Sequence, residues 1–282
     1  LNVLAFSRQR SAFSFGLLMF ISILLLSGCV GQRGQTLEGI PTIASIESVA
    51  QAATAAVMTQ NAPPEGFRDF VSFPEVDDRL LELPGWRYIV TLEFNGIFAR
   101  TPRETSATAR AEVWFNQLGS ARRILVETSG ELIGREENAV YEAVKLGPDA
   151  FLVRDNACLS NAGADADTAA NLRAGLLVGG VTRATPTGRR ATLNGEEAWE
   201  YAFTQDALNL PSIRLGEGGT MTANGELWVA PEDNAVVRFY VNLDVENAYI
   251  FDRQLPVSGQ VIIRYDLYDI GVVPNITVPF GC

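Results

Sequence analysis

From Trp86 onward the apolar side chains take alternate positions: Trp86, Tyr88, Val90, Leu92, Phe94 and Phe98. Arg87, Thr91, Glu93 and Asn95 point the other way. A two-residue period held over thirteen positions is a long strand with one wet face. Similar runs follow at Ala107–Phe115, Arg122–Glu131, Ala139–Leu146 and Ala150–Asp155. Turn residues part them, including Asn116-Gln117-Leu118-Gly119 and Gly147-Pro148-Asp149. Five strands on short links predict an antiparallel meander.

The middle of the chain breaks this pattern. Asn156–Asp167 reads as a polar loop, and Ala169–Val178 as a short helix with Leu172, Leu176 and Leu177 on its apolar stripe. An Asn194-Gly195 turn leads to Trp199, Tyr201 and Phe203 on alternate positions. Pro211–Thr220, with three glycines, predicts a mobile loop. Strands resume at Gly225–Ala230, Ala235–Asp244, Ala248–Arg253 and Gln260–Tyr268. Pro74–Leu83 reads as one further short helix. The expected fold is therefore mainly β: a strongly curved antiparallel sheet or half-barrel of about ten strands, with short helices across its opening. So broad a sheet must cover its apolar face by closing, splitting or curling. Alternation leaves open whether the enclosed space is packed or hollow.

The N-terminus is a separate matter. Arg8 and Arg10 precede an apolar run, Ala12 to Leu26, shorter than a bilayer span and ending in Leu26-Ser27-Gly28-Cys29. Residues 1–28 read as a signal peptide. The last four residues of the motif resemble the lipobox of bacterial lipoproteins, which implies lipidation of Cys29 and a lipid anchor on the extracytoplasmic side of the cell membrane. Residues 29–66 then form the lipidated N-terminus and a tether, or pack a first helix over 43–58, leaving one domain over 67–282.

Composition narrows the chemistry. Net charge is −11, and −13 once Arg8 and Arg10 are removed, which argues against nucleic acid as a partner. With no histidine there is no Ser-His-Asp or Cys-His catalysis. Adjacent carboxylates such as Glu196-Glu197 diverge on a strand, and Asp165, Asp167 and Asn161 lack calcium-loop spacing. No catalytic residue, metal or cofactor is expected. Cys158 and Cys282, in an oxidising compartment, are expected to be bridged.

Two stretches carry a family likeness. One is Gly225-Glu226-Leu227-Trp228-Val229-Ala230 with Val236-Val237-Arg238-Phe239-Tyr240, and the other is Tyr265-Asp266-Leu267-Tyr268-Asp269-Ile270-Gly271 with the tail after it. Together with the lipobox and the meanders, they resemble LppX/LprG-type lipoproteins, relatives in fold of the lipoprotein carrier LolA. The resemblance implies a carrier or chaperone that holds acyl chains of lipids, glycolipids or lipoproteins in an apolar cavity. The inward positions expected to line it are Leu92, Phe94, Leu125, Tyr141, Leu176, Leu177, Trp199, Phe239 and Ile263. The paired cysteines depart from the family pattern. An envelope scaffold or sensor that binds a protein partner through the same sheet is the alternative.

Overall fold

The computed structural model describes Gln51 and residues 62–133, 139–159, 162–251 and 255–282. The chain divides into two compact units, Leu1–Ala62 and Pro63–Cys282, and the architecture below belongs to the second. The expected signal peptide over 1–28, Cys29 and the expected 43–58 helix, Gln51 apart, lie outside the described residues.

Thirteen strands form one antiparallel sheet that does not close on itself. They are β1 (Val71–Phe73), β2 (Gly85–Phe98), β3 (Glu104–Asn116), β4 (Ala121–Ser129), β5 (Val140–Leu146), β6 (Asp149–Arg154) and β7 (Ala157–Cys158), then β8 (Gly180–Leu193), β9 (Glu196–Ala202), β10 (Leu208–Asn209), β11 (Ile213–Ala230), β12 (Ala235–Ile250) and β13 (Val257–Tyr268). The spatial order is β1-β8-β9-β11-β12-β13-β2-β3-β4-β5-β6-β7, with β10 beside β8. Between β7 and β8 lie helices α1 (Gly163–Ala170) and α2 (Gly175–Val178).

The alternation seen in the sequence becomes rows of side chains across the concave face. Registry puts Tyr141, Val126, Ala111, Val90, Tyr265, Phe239, Leu227 and Tyr201 in one such row. Leu92, Ile263 and Val241 share the next, and Ala107, Phe94, Val261 and Leu243 the one beyond. Nearly all of these side chains are buried and belong to one apolar core. A smaller core of Ala198, Trp228, Ala230 and Val237 lies on the opposite face.

The first meander forms as the period predicts. Asn194 and Gly195 both take positive φ, 55° and 100°, which a two-residue hairpin link of this kind requires. Other expectations need correction. Pro211–Thr220 is not a loop: from Ile213 it is the start of β11, and its glycines serve an irregular register between Leu215 and Thr220. Cβ atoms at Gly216 or Gly219 would meet the Asn247 carbonyl at 2.8 or 2.6 Å. Ala248–Arg253 is not a separate strand, because β12 runs unbroken to Ile250. Pro74–Leu83 holds only a 3-10 turn at Leu80–Glu82. The expected helix Ala169–Val178 is two helices parted at Asn171–Ala174, and β8 was not foreseen as a strand.

Candidate functional site

The concave face of β2, β3, β4 and β13 is crossed by a strap, Ala162–Gly179, built from α1 and α2. Helix α1 packs on β4, β5 and β6, and α2 reaches β13. Apolar contact comes from Ala166, Ala170, Ala174 and Val178, all buried. Neither helix has a side-chain cap. Polar ties do much of the fastening instead. Arg122 donates to the Leu172 carbonyl at 2.6 Å, the Ala174 N–H donates to the Tyr88 hydroxyl at 3.0 Å, and Lys145 pairs with Asp167 at 2.6 Å. Arg173 on the strap faces Glu75, Asp77 and Asp78 at 3.1, 3.5 and 2.9 Å.

Beneath α2 lies a mainly apolar cavity of about 20 Å³, lined by Val90, Leu92, Ala109, Arg110, Ala111, Val126, Leu177, Val178 and Phe251. That is room for about one water molecule. Two alanines on β3 leave the space, since their neighbours in the rows are larger.

Above the cavity the lining turns polar. The Arg122 guanidinium lies 5.6 Å from the Trp86 ring centre and donates to the Tyr88 hydroxyl at 3.2 Å. Tyr88 and Tyr265 have ring centres 5.4 Å apart. Burial holds both phenols well above their ordinary pKa, so both stay protonated. Burial also raises the Asp77 carboxyl, against the pull of Arg173 and of the Gly175 N–H. The structure leaves Tyr265 Oη and Arg122 Nε buried without a hydrogen-bond partner.

Of the residues expected at a cavity, Leu92 lines this one, with Leu177 opposite it on the strap. Phe94, Phe239 and Ile263 are inward and fully buried, Trp199 is inward beside Val229, and Tyr141 is inward and half-buried. Two expectations fail. Leu125 pairs with Glu112 and Glu142 on the outer face, because β4 places Ile124 and Val126 inward. Leu176 is 53% exposed, since one helical turn cannot bury Leu176 and Leu177 together. The sequence reading missed Arg122, Tyr88 and Tyr265 as a group. Arg122 was legible as a charge at an inward position of β4, had the strand been phased from Ile124.

Trp114 and Trp228 lie on the outer face, under Arg123 and Arg189 at 4.7 and 5.7 Å. Cys158 and Cys282 form a disulfide. Among the described residues no cluster of three or more His, Cys, Asp or Glu stands ready for a metal ion, and no helix is long and apolar enough to cross a membrane. Asp167, weighed as a calcium ligand, instead pairs with Lys145.

No protein-family model matches the chain, and no curated protein matches it. Solved structures do. A LolA superfamily protein from Nitrosomonas europaea is 11% identical, over 73% of this chain and 96% of that one, with a TM-score of 0.24. A putative outer membrane lipoprotein-sorting protein domain from Vibrio parahaemolyticus is 10% identical, over 65% and 84%, with a TM-score of 0.19. A DUF1329 family protein from Desulfovibrio piger is 10% identical, over 81% and 94%, at 0.20. The likeness is distant. The functional reading rests on the geometry of this chain.

Proposed function

We propose that the chain is a lipid-anchored, non-enzymatic carrier or chaperone of the cell envelope. It takes acyl chains of lipids, glycolipids or lipoproteins against the concave face of its half-barrel, as the LppX/LprG-type resemblance implies. The observation that carries this reading is the apolar cavity beneath α2, roofed by a one-turn helix and floored by Ala109 and Ala111. Ligand pockets usually occupy about 300–1,000 Å³, so on this reading an acyl chain enters the 20 Å³ space only if the strap lifts. Lifting the strap would open the rows through Val90, Leu92 and Phe94. Each methylene buried there contributes about 0.8 kcal/mol, which offsets the loss of the strap's contacts. Processing at Cys29 would set the domain on the extracytoplasmic side of the cell membrane.

The test is mass spectrometry of organic extracts from protein purified without detergent, beside uptake of a fluorescent fatty acid. The expected result is near-stoichiometric acyl lipid or saturable uptake. A protein that neither carries lipid nor takes up the probe overturns the reading.

A second reading, a scaffold for an envelope protein, is favoured by a different observation. Leu81, Leu118, Val272 and Val273 are exposed, and three segments bring them to one end of the sheet. The Gln117 side chain donates to the Leu81 carbonyl, Asn116 donates to Pro274, and Gly85 lies against Val272 and Val273. If Leu118→Ser abolished a pull-down partner while leaving fatty-acid uptake intact, that end would be a partner surface beside the carrier.

A further inference from the structure

Arg122 is only 8% exposed, yet among the described residues it forms no ion pair. The three acids nearest the strap, Glu75, Asp77 and Asp78, are gathered by Arg173 instead. Asp77 feels both guanidiniums, Arg173 the more strongly. A buried cation without a counter-charge is costly, and an orphaned Nε–H adds to the cost. The Tyr265 hydroxyl is a second orphan: its side chain is fully buried and it has no partner. Tyr88 Oη bridges the pair, within 3.2 Å of Arg122 and on a ring packed against Tyr265.

These donors do not stand at random. Tyr265 is opposite Val90, and Val90 lines the cavity beneath α2. The polar group therefore sits at the head of the apolar groove. Two of its ties, Arg122 to Leu172 and Tyr88 to Ala174, run to the strap and would be freed when it lifts.

We propose that Arg122, Tyr88 and Tyr265 form an anion-binding headgroup site, so that the cargo is an anionic single-chain amphiphile lying with its tail along Ala111, Ala109 and Leu92. This rests on the carrier reading and narrows it. The head is a carboxylate or a phosphate, both of which accept several N–H and O–H donors at once. Glu75, Asp77 and Asp78 lie on the segment before β2, outside the strap, so Arg122 stays available to an anion only while the long Arg173 side chain keeps its pairing with them as the strap lifts.

The experiment is displacement of Nile red from the purified full chain by palmitate, by hexadecanol and by lysophosphatidic acid, for the wild type, Arg122→Gln and Tyr265→Phe. The wild type should prefer palmitate over the equally long alcohol by about tenfold or more, as a charge-assisted hydrogen bond gives. Arg122→Gln should erase that preference while leaving hexadecanol competition in place. Tyr265→Phe loses no hydrogen bond in the closed state, so it should fold with an unchanged or raised Tm and lose several-fold in preference. It therefore decides the matter even if Arg122→Gln folds poorly. Where palmitate outcompetes the alcohol, lysophosphatidic acid as the still tighter competitor would assign a phosphate head, and palmitate as the tighter of the two a carboxylate. Equal competition by acid and alcohol in the wild type, or a preference that survives both substitutions, overturns the site and leaves the carrier standing. Displacement by none of the three overturns both.

Discussion

At the residue scale, two leucines separated by thirty-three positions should behave oppositely. Leu92 lies in the core, 2% exposed, and Leu92→Ala should cost about 2–5 kcal/mol in urea unfolding. Leu125 faces outward from β4, and Leu125→Ala should cost well under that. Equal losses would mean that β4 is out of the register given above. Asp77 makes a pH prediction. Its carboxyl is raised in the folded state by burial, so the proton is held more tightly folded than unfolded. Its stabilising contribution is present below the unfolded value of about 4 and is lost as pH rises through the folded one. Asp77→Asn should flatten that part of a plot of Tm against pH. A plot identical to the wild type from about pH 4 upward would show that the carboxyl carries no such burden.

At the element scale the strap is the part most open to test. Gly175 allows α2 to approach the segment before β2, where an added Cβ would meet Glu75 Cβ at 2.4 Å and Asp77 Oδ1 at 2.6 Å. Gly175→Ala should push the strap outward, lower the Tm and raise fatty-acid uptake. Lower stability with unchanged uptake would argue against the strap as the lid. The Cys158–Cys282 bridge spans 124 positions and ties the tail to the two-residue β7. Reducing it should cost at most about 5 kcal/mol of stability by the chain-entropy argument, read as a fall in the urea midpoint under reductant. The strands of the first meander were legible because one face is wet and the other dry, so composition alternates with the pleat. The strap was only half legible. Its helices are short and alanine-rich, and tertiary contacts rather than periodicity decide where they begin. Strand β8 was hidden for a related reason: Thr182, Arg183, Pro186, Gly188, Arg189 and Arg190 give it no apolar stripe.

For the molecule as a whole, the half-barrel followed from the amount of sheet. A dozen or so strands with a continuous apolar face must curl. Filling was not foreseeable, because inward residues of a packed core and of a hollow one look alike in sequence. Only the sizes of neighbours in a row, such as Ala111 beside Val126 and Val90, decide how much space remains. The polar head of the groove escaped for the same reason. Its three residues are spread over 177 positions of β2, β4 and β13, and only the register brings them together.

An unclosed sheet has two rims, and a rim of free N–H and C=O groups invites a second chain to add itself. Here one rim ends in β7, two residues long, and the other in β1, three residues long. Beyond β1 the flank of β8 carries Pro186, an irregular register between Pro186 and Arg190, and the paired charges of Arg189 and Arg190. A half-unfolded neighbour arriving at either border finds no straight ladder to extend. The sheet can thus stay unclosed while refusing to seed a fibril.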